Sequence, residues 1–159
     1  MNTTYKVKNF RIFDEEGVDV DLRPITILTG CNNSGKSSIV KSLCLLKDFC
    51  TQLNEDFENG HDLTLENYKR DFHKAPNDIM GTFNSVLHRK ESKKKGKEAP
   101  ADEKQYITFE ITVESAWLLQ DVIVVLKFCA FDGDDLNNGY LHYYSIKTLD
   151  DKLIYEATY

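Results

Sequence analysis

The octet Gly30-Cys31-Asn32-Asn33-Ser34-Gly35-Lys36-Ser37 fits the pattern G-x-x-x-x-G-K-[ST] and directly follows the apolar, strand-like residues 25–29. It constrains the chain more than any other stretch, because it demands a strand, a tight glycine turn and a helix in that order. Gly30 lets the backbone leave a strand sharply. Gly35, without a Cβ, lets it wrap closely around an anion so that successive N–H groups face the oxygens. Lys36 is then expected to reach the β- and γ-phosphates of a nucleotide, and the Ser37 hydroxyl to ligate the accompanying Mg²⁺. Residues 36–53 place Ile39, Leu43, Leu46, Cys50 and Leu53 at helical spacing, so a helix N-terminus adds its positive dipole beneath the phosphates. At average composition the pattern arises by accident in about 0.5% of chains of this length, and the flanking strand and helix signals make accident rarer still. The octet is a phosphate-binding P-loop by sequence. A nest of this kind reads phosphates only and does not choose between adenine and guanine.

The 159 residues suffice for one domain with a proper core, and 41% hydrophobic content is that of a globular chain. Lys and Arg total 20 against 26 acidic residues, so the net charge of -6 gives no global electrostatic case for nucleic-acid or membrane binding. No run approaches the about 18 apolar residues of a membrane span, and the start MNTTYKVKNF lacks the apolar core of a secretory signal. A cytoplasmic location, with no membrane partner, is the expectation. Cys31, Cys44, Cys50 and Cys129 lack C-x-x-C spacing, and His61, His73, His88 and His142 form no H-E-x-x-H pattern. Reduced, mostly buried thiols are expected, with Cys31 a spacer in the phosphate loop rather than an activated nucleophile.

The class expected is α/β, in three parts: a hairpin plus P-loop unit over 1–53, a polar helical insertion over 54–105, and an antiparallel β-meander over 106–159. Residues 5–13 and 18–22 are strand-like, and Asp14-Glu15-Glu16-Gly17 between them predicts a hairpin. Leu65, Tyr68 and Phe72 share one helical face before Pro76, and Ile79, Phe83, Val86 and Leu87 share another. The run 89–98 holds six basic residues against two acidic ones, a composition that suits a solvated loop more than a phosphate-backbone contact. Beyond it the period becomes twofold: Ile107, Phe109, Ile111 and Val113 alternate with Thr108, Glu110, Thr112 and Glu114. Residues 122–131 are almost continuously apolar, and 139–148 and 152–157 complete four strands. Turn chemistry lies at Asp132-Gly133-Asp134-Asp135, Asn137-Asn138-Gly139 and Asp150-Asp151.

The runs VKNFRIF and LRPITILTGCNNSGKSSIVKSL resemble the N-terminal segment of ABC-class ATPases grouped around RecF, the SMC proteins and the OLD-type or AAA-15 ATPases. The match covers about residues 5–46, and Asn32-Asn33 followed by Ser37-Ser38 is nearer the OLD-like branch than membrane transporters. The resemblance implies ATP or ADP with Mg²⁺, bound by Gly30, Asn32, Asn33, Ser34, Gly35, Lys36, Ser37 and Ser38. It also implies that Arg11, in the N-F-R position, lies near the nucleotide or contacts DNA; a surface arginine on an edge strand is the plainer alternative. Such heads also carry a Mg²⁺-sensing glutamine, a signature motif that clasps ATP across a head dimer, and a Walker B Asp-Glu pair, and none of these is visible. Residues 128–132 end an apolar run in Asp132, but Gly133 follows, and Gly-Asp-Asp after a strand is turn chemistry.

These features, and an end inside strand-like sequence at Tyr159, lead to the expectation of the N-terminal lobe of a longer ATPase acting on DNA. Its partners would be the rest of that ATPase and a second head. The lobe itself would bind Mg-nucleotide but hydrolyse it negligibly, since phosphoryl transfer needs several parts. The alternatives are a complete small nucleotide switch whose Lys90 to Lys97 loop docks a partner, a transporter ATPase lobe, and a P-loop kinase; the last lacks a visible acceptor site or Arg-rich lid.

Overall fold

Twofold alternation from residue 107 onward builds most of the molecule. The computed structural model describes residues 3–58, 69–70, 82–88, 105–130 and 139–159. In chain order its elements are β1 (Thr3–Lys8), β2 (Val18–Leu22), α1 (Lys36–Glu58), β3 (Lys69–Arg70), α2 (Phe83–Val86), β4 (Ile107–Ser115), β5 (Gln120–Ala130), β6 (Gly139–Thr148) and β7 (Leu153–Thr158). The strands form one sheet in the order β2-β1-β4-β5-β6, every pairing antiparallel. β3 and β7 both pair with the outer edge of β6, β3 at Gly139 and Tyr140 and β7 from Tyr143 to Lys147. The four strands expected from the alternation are therefore β4 to β7, and the Asp150-Asp151 turn joins the last two with Asp151 at φ 63°.

Cross-strand pairs stack the apolar positions on one face: Val7 opposite Phe109, Phe109 opposite Leu126, and Phe128 opposite Leu141. α1 lies on that face, with Phe49 edge-on to Phe128 at 5.1 Å between ring centroids. Its buried positions among the described side chains are Ser38, Ile39, Ser42, Leu46 and Phe49, whereas Leu43 is only half-buried and Cys50 exposed. The inward face is thus rotated from the one the apolar residues alone define. A polar residue causes the offset: the buried Ser42 Oγ accepts from the Tyr5 hydroxyl at 2.7 Å and donates to the Ile39 carbonyl at 2.8 Å. A satisfied hydroxyl is cheap to bury, so apolarity alone does not find it.

Burial pushes the Tyr5 phenol well above its ordinary pKa, with the Ser42 hydrogen bond a smaller opposing influence. Folding therefore favours the neutral phenol. Its stability contribution is complete below the unfolded pKa, about 10, and is lost as pH rises through and beyond it. Tyr5→Phe should cost about 1 kcal/mol at neutral pH in urea unfolding and flatten the loss of stability above pH 10. An unchanged alkaline limb in the variant would remove Tyr5 as its cause.

Four expectations are corrected. The first strand ends at Lys8 rather than 13, because Asn9 (φ 54°) and Arg11 (φ 53°) are left-handed, a conformation no strand contains. Residues 25–29 form no strand among the described residues; Ile25 is 82% and Ile27 80% exposed. Lys69–Arg70 is a strand where a helix over 65–72 is expected, the flanking residues 65–68 and 71–72 lying outside the described ones. Cys31, Cys44 and Cys50 are exposed and only Cys129 is buried. α2 supplies one helical turn at Phe83 and Val86; Ile79, the basic run 89–98 and the turn residues 132–138 lie outside the described residues.

Candidate functional site

The loop before α1 carries three residues at positive φ: Gly30 at 147°, Asn33 at 65° and Gly35 at 91°. Asparagine tolerates the left-handed region better than other side chains, and glycine enters it freely, so this sequence can coil where most cannot. The Ser34 N–H returns to the Cys31 carbonyl at 3.4 Å, closing the turn. The first helical bond of α1 runs from the Ile39 N–H to the Gly35 carbonyl at 2.9 Å. The N–H groups of Lys36, Ser37 and Ser38 precede it and, as in any first turn, have no helical acceptor.

Lys36 is held within the loop. Its Nζ donates to the carbonyls of Gly30 at 2.8 Å and Cys31 at 2.5 Å, and to Ser34 Oγ at 3.3 Å. The ammonium therefore sits at the centre of curvature, where the backbone fixes a positive charge. Asn32, Asn33, Ser34, Gly35, Lys36, Ser37 and Ser38 line an open cleft of about 490 Å³ together with Arg11 and Ile12. Gly30 and Cys31 do not line it; their carbonyls hold the Lys36 ammonium. The Ser37 side chain is exposed at the helix start, while Ser38 is 8% exposed beneath it.

The opposite wall is built from the irregular stretch after β1. Phe10 is fully buried in the core, and the left-handed residues Asn9 and Arg11 on either side turn it inward. A short segment around α2 clamps this arrangement: the Arg11 N–H donates to the Val86 carbonyl at 2.5 Å, and the His88 N–H to the Asn9 carbonyl at 3.0 Å. His88 Nδ1 lies 2.7 Å from the Arg11 carbonyl and donates to it. Thr82 caps α2 by accepting from the Ser85 N–H at 3.1 Å. The Arg11 guanidinium rests over the Phe10 ring, 5.9 Å from its centroid. The structure thus brings Arg11 to the cleft, from a turn rather than from an edge strand.

Sequence reasoning missed Ile12 and Phe13 as the wall against Gly35, and residues 82–88 as the clamp behind Arg11. The only local signal was the Thr82-x-x-Ser85 cap, which announces a helix and not a site. The residues Phe128, Cys129 and Ala130 of the apolar run before Asp132 lie in β5 between β4 and β6, and Asp132 lies outside the described residues. Among the described residues no group of three or more His, Cys, Asp or Glu is placed to hold a metal ion, and no helix is long and apolar enough to cross a membrane.

The residues present fit a phosphate chain: positive-φ glycines leave room, the first-turn N–H groups have no helical acceptor, and a lysine is fixed within the loop. For Mg²⁺ the fit is one hard oxygen, the exposed Ser37 hydroxyl, which suits an ion that takes few protein ligands beside phosphate oxygens and water. Comparison with known families decides the assignment, since the family model described as AAA ATPase domain matches residues 1–155. The chain belongs to the AAA ATPase domain family. No curated protein and no solved structure shows a significant similarity to it. Membership accounts for the octet, and an AAA ATPase domain is a P-loop nucleotide-binding unit; here that unit is α/β, with an antiparallel sheet outweighing its helices.

Proposed function

We propose that the chain binds ATP or ADP with Mg²⁺ in the cleft between Arg11 and residues 30–38, as the nucleotide-binding part of a larger ATPase of the RecF, SMC and OLD-like group that acts on DNA. The observation that carries the reading is the cleft that residues 32–38 line together with Arg11, with the Lys36 ammonium bonded into the loop at the start of α1. The first-turn N–H groups of α1 and Lys36 would hold the β- and γ-phosphate oxygens, Gly30 and Gly35 would give them room, and Arg11 would approach from the far wall. The Ser37 hydroxyl would be the protein ligand of Mg²⁺, which would supply neutralisation of the phosphate charge. Asn9-Phe10-Arg11 beside the loop supports the subgroup, since this triplet and the octet carry the resemblance together. The exposed Ile25 and Ile27 support a larger assembly, in which a further strand would cover them. A second head of the same kind would complete hydrolysis, which needs a metal-holding carboxylate and a water-activating group beyond this cleft.

A fluorescent ATP analogue with Mg²⁺, titrated into the wild type and Lys36→Ala, tests this directly. Wild-type binding should be saturable, and the variant about tenfold weaker or worse, as loss of a charge-assisted contact requires. Phosphate release should stay at background in both. Absence of wild-type binding would overturn the nucleotide site, and steady turnover lost in Lys36→Ala would overturn the need for further parts.

A further inference from the structure

The face of the sheet turned away from α1 holds a second hollow. Antiparallel sheets commonly leave one face to water, and polar side chains there should be exposed. Ser145 on β6 is nevertheless 0% exposed, and Thr108 on β4 is 8% exposed. Ser145 Oγ is buried without a hydrogen-bond partner among the described residues. It borders a hollow of about 270 Å³ whose floor includes Ile123 and Val125 and whose walls carry three lysines. Two of these are matched by carboxylates, Lys8 by Glu110 at 2.6 Å and Lys147 by Asp151 at 2.8 Å. Lys127 has no carboxylate partner among the described residues; its ammonium stands 4.8 Å from the centroid of the Tyr143 ring. Three ammonium groups against two carboxylates leave one positive charge over a buried hydroxyl that has nothing to bond.

An unmatched ammonium and unfilled hydroxyl donors around one hollow call for an oxyanion. Thr108, Lys127 and Ser145 rise from one face of three neighbouring strands, Thr108 directly opposite Lys127 and Ser145 opposite Val125, so an anion with three or four oxygens can meet them on separate atoms where a carboxylate offers only two. We propose that this hollow binds a phosphoryl group, as free phosphate or as a phosphodiester, on the opposite face of the sheet from the P-loop. Lys127 neutralises the charge, and because Ser145 is closed off from solvent its hydroxyl donates to one oxygen only once the ion-paired rim lysines Lys8 and Lys147 swing aside. The proposal does not depend on the nucleotide site.

The test therefore uses the Lys36→Ala chain, in which the loop site is weakened. Its ¹⁵N-labelled form is titrated with inorganic phosphate at constant ionic strength, and in a second arm with a dinucleotide phosphodiester. Saturable shifts should appear at the amides of Val125 to Lys127 and Tyr143 to Lys147. Lys127→Met, which keeps the apolar stem, and Ser145→Ala should each weaken them about tenfold in that background. Ser145→Ala should also melt no lower than its parent, since it removes a buried hydroxyl without a partner. Tighter binding of the diester identifies a polynucleotide backbone as the source, and tighter binding of phosphate identifies the free anion. Shifts confined to residues 30–38, a linear response, insensitivity to both substitutions, or acetate binding as well as phosphate would each overturn the proposal.

Discussion

Gly35→Ala should destabilise the chain by about 2–4 kcal/mol and abolish nucleotide binding, two losses with separate physical causes. The first is backbone strain: at φ 91° a residue with a Cβ costs about 1–3 kcal/mol unless the loop rearranges. The second is steric, since the added carbon would stand 2.7 Å from Phe13 Cζ and 2.8 Å from Ile12 Cδ1. Ile12 is half-exposed and can give way, but the Phe13 ring packs against the core, so part of the overlap must move the loop itself. That movement displaces the N–H groups of Lys36 and Ser37 from the cleft. Urea unfolding and the fluorescent titration read the two losses separately. Adding Ile12→Ala to Gly35→Ala should recover part of the stability and none of the binding, because it relieves contact without altering φ. Full recovery of both would show that strain at φ 91° contributes nothing. Gly30→Ala is strained as well, at φ 147°, but its steric part should be milder, because its Cβ would meet the Ser34 hydroxyl at 2.9 Å and that group can rotate away by giving up its bond to Lys36.

The contrast between these glycines shows which parts of the site the sequence carries. Spacing of Gly30, Gly35 and Lys36 announces a phosphate loop, because each residue type serves the local backbone or the ligand directly. It says nothing of the wall opposite. Ile12 and Phe13 lie more than twenty residues before Gly35 and look like the end of a strand, since Phe10, Ile12 and Phe13 are all apolar. What breaks the strand is the left-handed pair Asn9 and Arg11, fixed by hydrogen bonds to residues 86 and 88, and contacts that distant in sequence leave no local trace.

The same distinction separates β4 to β7 from residues 25–29. Alternation over Ile107, Phe109, Ile111 and Val113 states which face turns to the core, and the register of β4 against β5 follows from keeping both apolar sets on that face, but it does not show that Ile111 and Val113 are only half-buried or that Thr108 and Thr112 on the other face are buried. Residues 25–29 are apolar without specifying a neighbour. A strand exists only where another backbone accepts its hydrogen bonds, and in this chain that stretch stands exposed at Ile25 and Ile27. Helix α1 falls between these cases. Its start is legible from the loop and the 3.6-residue period, but it runs to Glu58 where the period ends at Leu53, and its inward line depends on Ser42, whose partner Tyr5 lies on β1.

Phe109→Ala should cost about 3–5 kcal/mol, a large share of the 5–15 kcal/mol typical of a domain, and should be the most damaging single truncation in the core. The ring is 1% exposed and stands among three others: Phe128 edge-on at 5.7 Å, Phe10 at 6.4 Å and Tyr5 at 6.5 Å between centroids. Two of those rings tie α1 to the sheet, and the third belongs to the turn beside the cleft. Phe128 meets Phe49 of α1, Tyr5 bonds Ser42 of α1, and Phe10 turns inward between the residues that present Arg11 to the cleft. A cavity at Phe109 therefore loosens the helix that carries the phosphate loop and the turn that faces it. The expected signature is a lower urea midpoint with an unchanged slope, and weaker binding of the ATP analogue under conditions where the variant is still folded. Phe109→Leu, which keeps much of the volume, should lose about 1–2 kcal/mol and bind nearly as the wild type. If Phe109→Ala lowers stability by the full amount yet binds nucleotide unchanged, the cleft is held by the clamp at Val86 and His88 alone, and the aromatic cluster supports the sheet without shaping the site.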